Sequence, residues 1–150
     1  MLINLYEVFE EFENAHSHKD KIATLQKHSS WALKQILKGT FDPNVKFSLL
    51  RAPAYKASDA PTGMGYTSIH QELNRVYLFE ENNPRIQKGL TGARKEQILI
   101  QILESLEARE AKIYLDMLLK KQHVKGLTEA IVREAFPDLL SEKVEAEPSA

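Results

Sequence analysis

The 150-residue chain contains no cysteine. That absence rules out a disulfide framework, a thiolate metal site and a cysteine nucleophile, and it suits a reducing cytoplasm. No apolar run approaches the roughly 18 residues of a membrane-crossing helix. The opening stretch MLINLYEVFEEFENAH places acids where a secretory signal needs early positive charge. The expectation is a soluble, cytoplasmic protein with no membrane partner. Glycine and proline are sparse, at six each, so the chain is neither low-complexity nor fibrous. Familiar catalytic signatures are missing too. Lys88 to Arg94 lacks the spacing of a Walker-type phosphate loop, there is no HExxH, and no local pattern joins a serine to a histidine and an acid. His16 and His18 are two apart and point to different sides of a helix, so they do not form a ligand pair. Glu10, Glu11 and Glu13 read as the wet face of a helix rather than as an acid–base pair. The chain is therefore expected to hold no catalytic residue, no metal and no cofactor.

What is present is an uneven charge. The net charge is −1, but it is distributed in blocks. Residues 1–16 carry four acids and no lysine or arginine, and residues 127–150 carry two bases against six acids. Between them, residues 17–126 carry 18 bases against 11 acids. A basic middle between acidic ends can give a near-neutral protein one cationic face.

The apolar pattern is helical throughout. Leu2 to Asn14 has the spacing of one buried face. Ser17 to Asp20 reads as a capping box opening a helix with Ile22 and Leu25 inward. Ser30 is placed to cap a helix through Trp31, Leu33, Ile36 and Leu37, with Gly39 as its C-terminal stop. Trp31, the only tryptophan, is expected to anchor the core, with a base-stacking or ligand role as the alternative. Ser68 is placed to cap a helix running through Leu73, Val76, Tyr77 and Phe79. Lys88 to Gly92 reads as a flexible connection. Ala93 to Leu106 is a strong helix. Glu107 to Lys121 either continues it with a bend or forms a tight second helix. Thr128 is a plausible cap for a last helix ending at Pro137. The fold expected is all-α, a compact bundle of about six or seven helices, with residues 1–140 as one domain and 141–150 as a disordered acidic tail.

Residues 45–66 are the longest irregular stretch. Lys46, Arg51 and Lys56 lie in it with no acid before Asp59, and Phe47 and Tyr55 are interleaved. A basic loop with aromatics suits a phosphate backbone; a partly ordered connection is the plainer alternative.

Two blocks carry a resemblance, KIATLQKHSSWALKQILKGTFDP and GLTGARKEQILIQILESLEAREAKIYLDMLLKKQHVKGLTEAIVREAFPDLL. In their order and spacing they resemble the helical N-terminal DNA-binding domain of ATP-dependent DNA ligases, most closely the T-even-phage type. The segments YEVFEE, SSWALKQILKGTFDP and GLTEAIVREAFP also resemble a family of small proteins of T4-like phages, including those infecting cyanobacteria. The second resemblance implies a phage origin and brings no established activity. The first implies a module that lies on the duplex minor groove and touches phosphates from helix ends and turns. Carried over by position, it implicates Lys120, Lys121, Lys125, Gly126 and Thr128 at one helix joint, and Lys88, Gly89, Thr91, Gly92 and Arg94 at another. The chain departs from the ligases in having no Lys-x-Asp-Gly nucleotidylation motif.

The expectation is thus a non-catalytic, largely sequence-independent duplex-DNA-binding accessory protein acting in phage replication, repair or transcription. The alternative is a helical adaptor or regulator that docks on a host or phage enzyme.

Overall fold

The computed structural model describes residues 4–49, 51–59, 67–81 and 83–140. Within them the chain forms seven α-helices: α1 (Leu5–Asn14), α2 (His18–Lys27), α3 (Trp31–Phe41), α4 (Ile69–Leu73), α5 (Gly92–Ser105), α6 (Ala108–Leu118) and α7 (Glu129–Ala135). A short 3₁₀ helix spans Val76–Phe79. The described residues contain no strand, only an isolated bridge between Phe47 and Glu80. The all-α expectation holds. Residues 2–3 of the first expected helix and the tail 141–150 lie outside the described residues.

Local chemistry accounts for the helix starts. The hydroxyls of Ser17, Ser30, Ser68 and Thr128 accept from Asp20, Leu33, Gln71 and Ile131 N–H groups, as their spacing predicts. Asn4 and Glu7 form a reciprocal capping box on α1. Thr91 caps α5 through the Arg94 N–H, so Gly92 is helical and not part of a flexible link. Leu106 and Glu107 separate α5 from α6, which resolves the expected pair as two helices, and the Glu107 carboxylate caps the second.

Helix α6 is the central element. It packs against α1, α3, α4 and α5, while α2 packs against α1 and α7. Tyr114, Met117 and Leu118 on α6 are buried among Phe12, Leu33, Leu37, Leu99, Ile102 and Leu103.

Three expectations are corrected. Gly39 does not stop α3; it lies inside the helix, and a Cβ there would sit 2.6 Å from Met117 Sδ. Its lack of a side chain lets α3 and α6 approach. The helix expected over 68–79 breaks after Leu73. The Arg75 N–H turns back to the Glu72 carbonyl at 3.0 Å, which also accepts the Tyr114 hydroxyl of α6 at 3.1 Å, and the chain continues as the 3₁₀ turn. Trp31 is not a core anchor: it is 43% exposed. At 100° per residue it lies nearly opposite Leu33 and Leu37, the residues that face the core.

Candidate functional site

The joint after α6 ends in an unusual way. Lys121 N–H donates to the Asp116 carbonyl and Lys120 N–H to the Met117 carbonyl, both at 3.0 Å. This is the bond pattern of a Schellman cap, whose left-handed position ordinarily takes glycine. Here Lys120 occupies it, with φ +60°. The reason lies across the interface. The Lys120 ammonium donates to the carbonyls of Gly39 (2.7 Å), Asp42 (2.8 Å) and Val45 (2.7 Å), closing the C-terminal end of α3. Burial lowers its pKa, and nearby Asp42 opposes that shift. With all three N–H bonds of the ammonium taken, Lys120 leaves the set of expected phosphate contacts and becomes a structural residue.

The rest of the joint is fastened to its surroundings. Gln122 Nε2 donates to Thr40 Oγ1 and to the Ile113 carbonyl. His123 Nδ1 lies 3.0 Å from Asp116 Oδ2. Lys125 N–H donates to Glu13 Oε2 at 2.8 Å, which brings one acid of α1 beside the joint. Gly126 takes φ +85°, a conformation that favours glycine. Thr128 is committed to capping α7. The side chains of Lys121 and Lys125 remain exposed.

The loop is tied down at several points. Ser48 N–H donates to the Phe79 carbonyl and Glu81 N–H to the Lys46 carbonyl. Phe47 is buried, with the Lys120 ammonium 5.7 Å from its ring centroid. Lys56 N–H donates to Glu104 Oε2 at 2.8 Å. Tyr55 is half-buried; burial raises its pKa, and the Asp116 charge adds to the rise. Asp116 thus relates the loop to His123 at the joint. The Lys46, Arg51 and Lys56 side chains are exposed. Residues 60–66 of this loop lie outside the described residues.

Among the described residues, the joint before α5 has only local bonds. Gly89 has φ +89°, Leu90 N–H donates to the Gln87 carbonyl, and Arg94 reaches Gln97. The first turn of α5 contains no acid; Arg94 and Lys95 sit there instead. Cations at a helix N-terminus oppose the macrodipole, so this turn is electrostatically short of an anion.

The ion pairs divide the surface. Their cations are His18, Lys27, His28, Arg75, Arg109, His123 and Arg133. Lys46, Arg51, Lys56, Lys88, Arg94, Lys121 and Lys125 take part in none among the described residues. The opposite situation holds where α1 meets the start of α6. There Arg109 lies over the Tyr6 ring and pairs with Glu10 and Glu107. Glu110 Oε1 accepts from Leu5 N–H, but its Oε2 is buried with no partner. Burial pushes this carboxyl up to about 7. Among the described residues no three histidine or acid side chains converge as metal ligands.

A family model matches residues 8–125, a span that runs from α1 through the Lys120 joint. The chain belongs to DUF6433, a family of unknown function. The DUF6433 span takes in both expected loop and joint cations and ends before Gly126 and α7. No curated protein matches the chain.

Sequence reasoning favoured a core place for Trp31 and did not bring it together with His70. Their rings lie 4.8 Å apart at the exposed side of α3 and α4. The helical phase of Trp31 against Leu33 and Leu37 contained the signal for its exposure.

Proposed function

We propose that this protein is a non-catalytic accessory factor of phage origin that binds duplex DNA through its phosphates, with little dependence on base sequence. One observation carries the reading: the side chains of Lys46, Arg51, Lys56, Lys88, Arg94, Lys121 and Lys125 face solvent and enter no ion pair among the described residues, whereas Arg75, Arg109 and Arg133 are paired with acids. Free lysines supply charge without telling one base from another. The resemblance to the DNA-binding module of ATP-dependent DNA ligases supports the same reading. So does the anion-deficient first turn of α5.

The test is fluorescence anisotropy with a labelled duplex over a salt titration. Affinity should fall steeply with salt and should change little with sequence. Lys121→Glu combined with Lys125→Glu and Arg94→Glu should weaken binding by about tenfold or more at low salt. Absence of duplex binding at low salt would overturn the reading. A second reading, an adaptor that docks on a host or phage enzyme, draws on the exposed acids Glu7, Glu10 and Glu13 of α1. A stoichiometric protein partner that survives nuclease treatment, together with no duplex affinity, would favour it.

A further inference from the structure

Trp31 is the one large hydrophobic residue exposed among the described residues. It opens α3, and the His70 ring of α4 stands beside it, tilted by 56°. Helix α3 has no acid along its length. At spacings of three and seven from Trp31, Lys34 and Lys38 fall on the same outward face, with Gln35 between them. The Lys34 ammonium lies 5.4 Å from the Phe136 ring centroid, and neither lysine enters an ion pair among the described residues.

The chemistry of this face selects its ligand. An exposed indole draws cations, apolar groups or flat π-systems. The part-exposed Lys34 and Lys38, farther along the same face, disfavour a cationic ligand. A flat group linked to negative charge satisfies both the indole and the lysines. We infer that Trp31 and His70 form a stacking platform for an unpaired nucleobase, with Lys34 and Lys38 on the adjoining phosphates. The inference rests on the DNA-binding reading and deepens it: the protein engages strand ends, gaps or flipped bases as well as intact duplex.

Trp31 is also its own reporter, because the chain has no other tryptophan. The full-length protein is titrated at low salt with an oligothymidylate, with an abasic oligomer of equal length, and with the labelled duplex. Oligothymidylate should quench Trp31 emission to saturation, and the abasic oligomer should not. Trp31→Ala should weaken oligothymidylate binding by about tenfold, Trp31→Phe should retain most of it, and Lys34→Glu with Lys38→Glu should weaken it while leaving the indole in place. Duplex binding with no effect of oligothymidylate on Trp31 would overturn the platform and leave the duplex reading standing. Failure of both nucleic acids to bind would remove both. A blue shift of Trp31 that grows with protein concentration alone would mark the face as a protein contact and overturn the platform.

Discussion

At its two ends α6 draws a charged side chain partly or fully out of water, Lys120 half-buried and Glu110 buried, and it treats them differently. At the C-terminal end the Lys120 ammonium meets three carbonyls, one for every N–H it has to place. At the N-terminal end the Glu110 carboxyl has one N–H donor for two oxygens, and the acids Glu107 and Glu7 add their charges to its surroundings. The first charge ties two helices together. The second is held against its preference for ionisation. Burial of a charge therefore does not by itself say whether a group stabilises the fold; the count of partners does.

The comparison breaks most sharply at Lys120. Lys120→Ala should cost about 2–4 kcal/mol in urea unfolding, because three carbonyls at the end of α3 lose a charged donor. A loss below about 0.5 kcal/mol would mean water replaces the ammonium without penalty. Glu110 should respond in the opposite direction and only at higher pH. Its folded pKa stands near 7 against an ordinary 4.5, so the folded state holds the proton more tightly. The stability contributed by Glu110 is then greatest at low pH and falls as pH rises from about 4.5 through about 7. Glu110→Gln should flatten that decline and stabilise the protein by about 2–3 kcal/mol at pH 8, with little effect at pH 4.5. Equal effects at both pH values would show that Glu110 does not titrate in this window.

Gly39→Ala sharpens the C-terminal side, since the new methyl meets Met117 in a packed interface. Its expected cost is about 1–3 kcal/mol by thermal unfolding, and Met117→Ala in the same chain should recover part of it. Smallest of all, Lys121→Ala should change stability by less than about 0.5 kcal/mol although it adjoins Lys120, because its side chain is exposed. A larger loss would mean that the joint is held by both lysines.

What the sequence made legible was local. The caps at Ser17, Ser30, Ser68 and Thr128 need only a hydroxyl three residues ahead of a helical N–H, and each is where that spacing placed it. The helical periods of α5 and α6 were equally plain. The Lys120 clamp was not, because its acceptors lie 75 to 81 residues earlier in the chain. Nor was the bond from the Tyr114 hydroxyl to the Glu72 carbonyl, 42 residues away, near which the expected 68–79 helix ends. Gly39 read as a stop because glycine is common there, and only the neighbouring Met117 explains it as a packing residue. At the candidate site the basic residues were visible as a charge pattern. Their division into a buried brace and free surface cations depends on tertiary neighbours that no local spacing encodes.

Lys120 also bears on how such a protein is re-engineered. Judged by backbone angle alone, the position asks for glycine, and a stabilisation scheme that scores residues by dihedral preference would make that change. The substitution would relax one residue and unfasten two helices. Here the residue type is chosen by the far end of the side chain, so that a disfavoured dihedral records a long-range commitment.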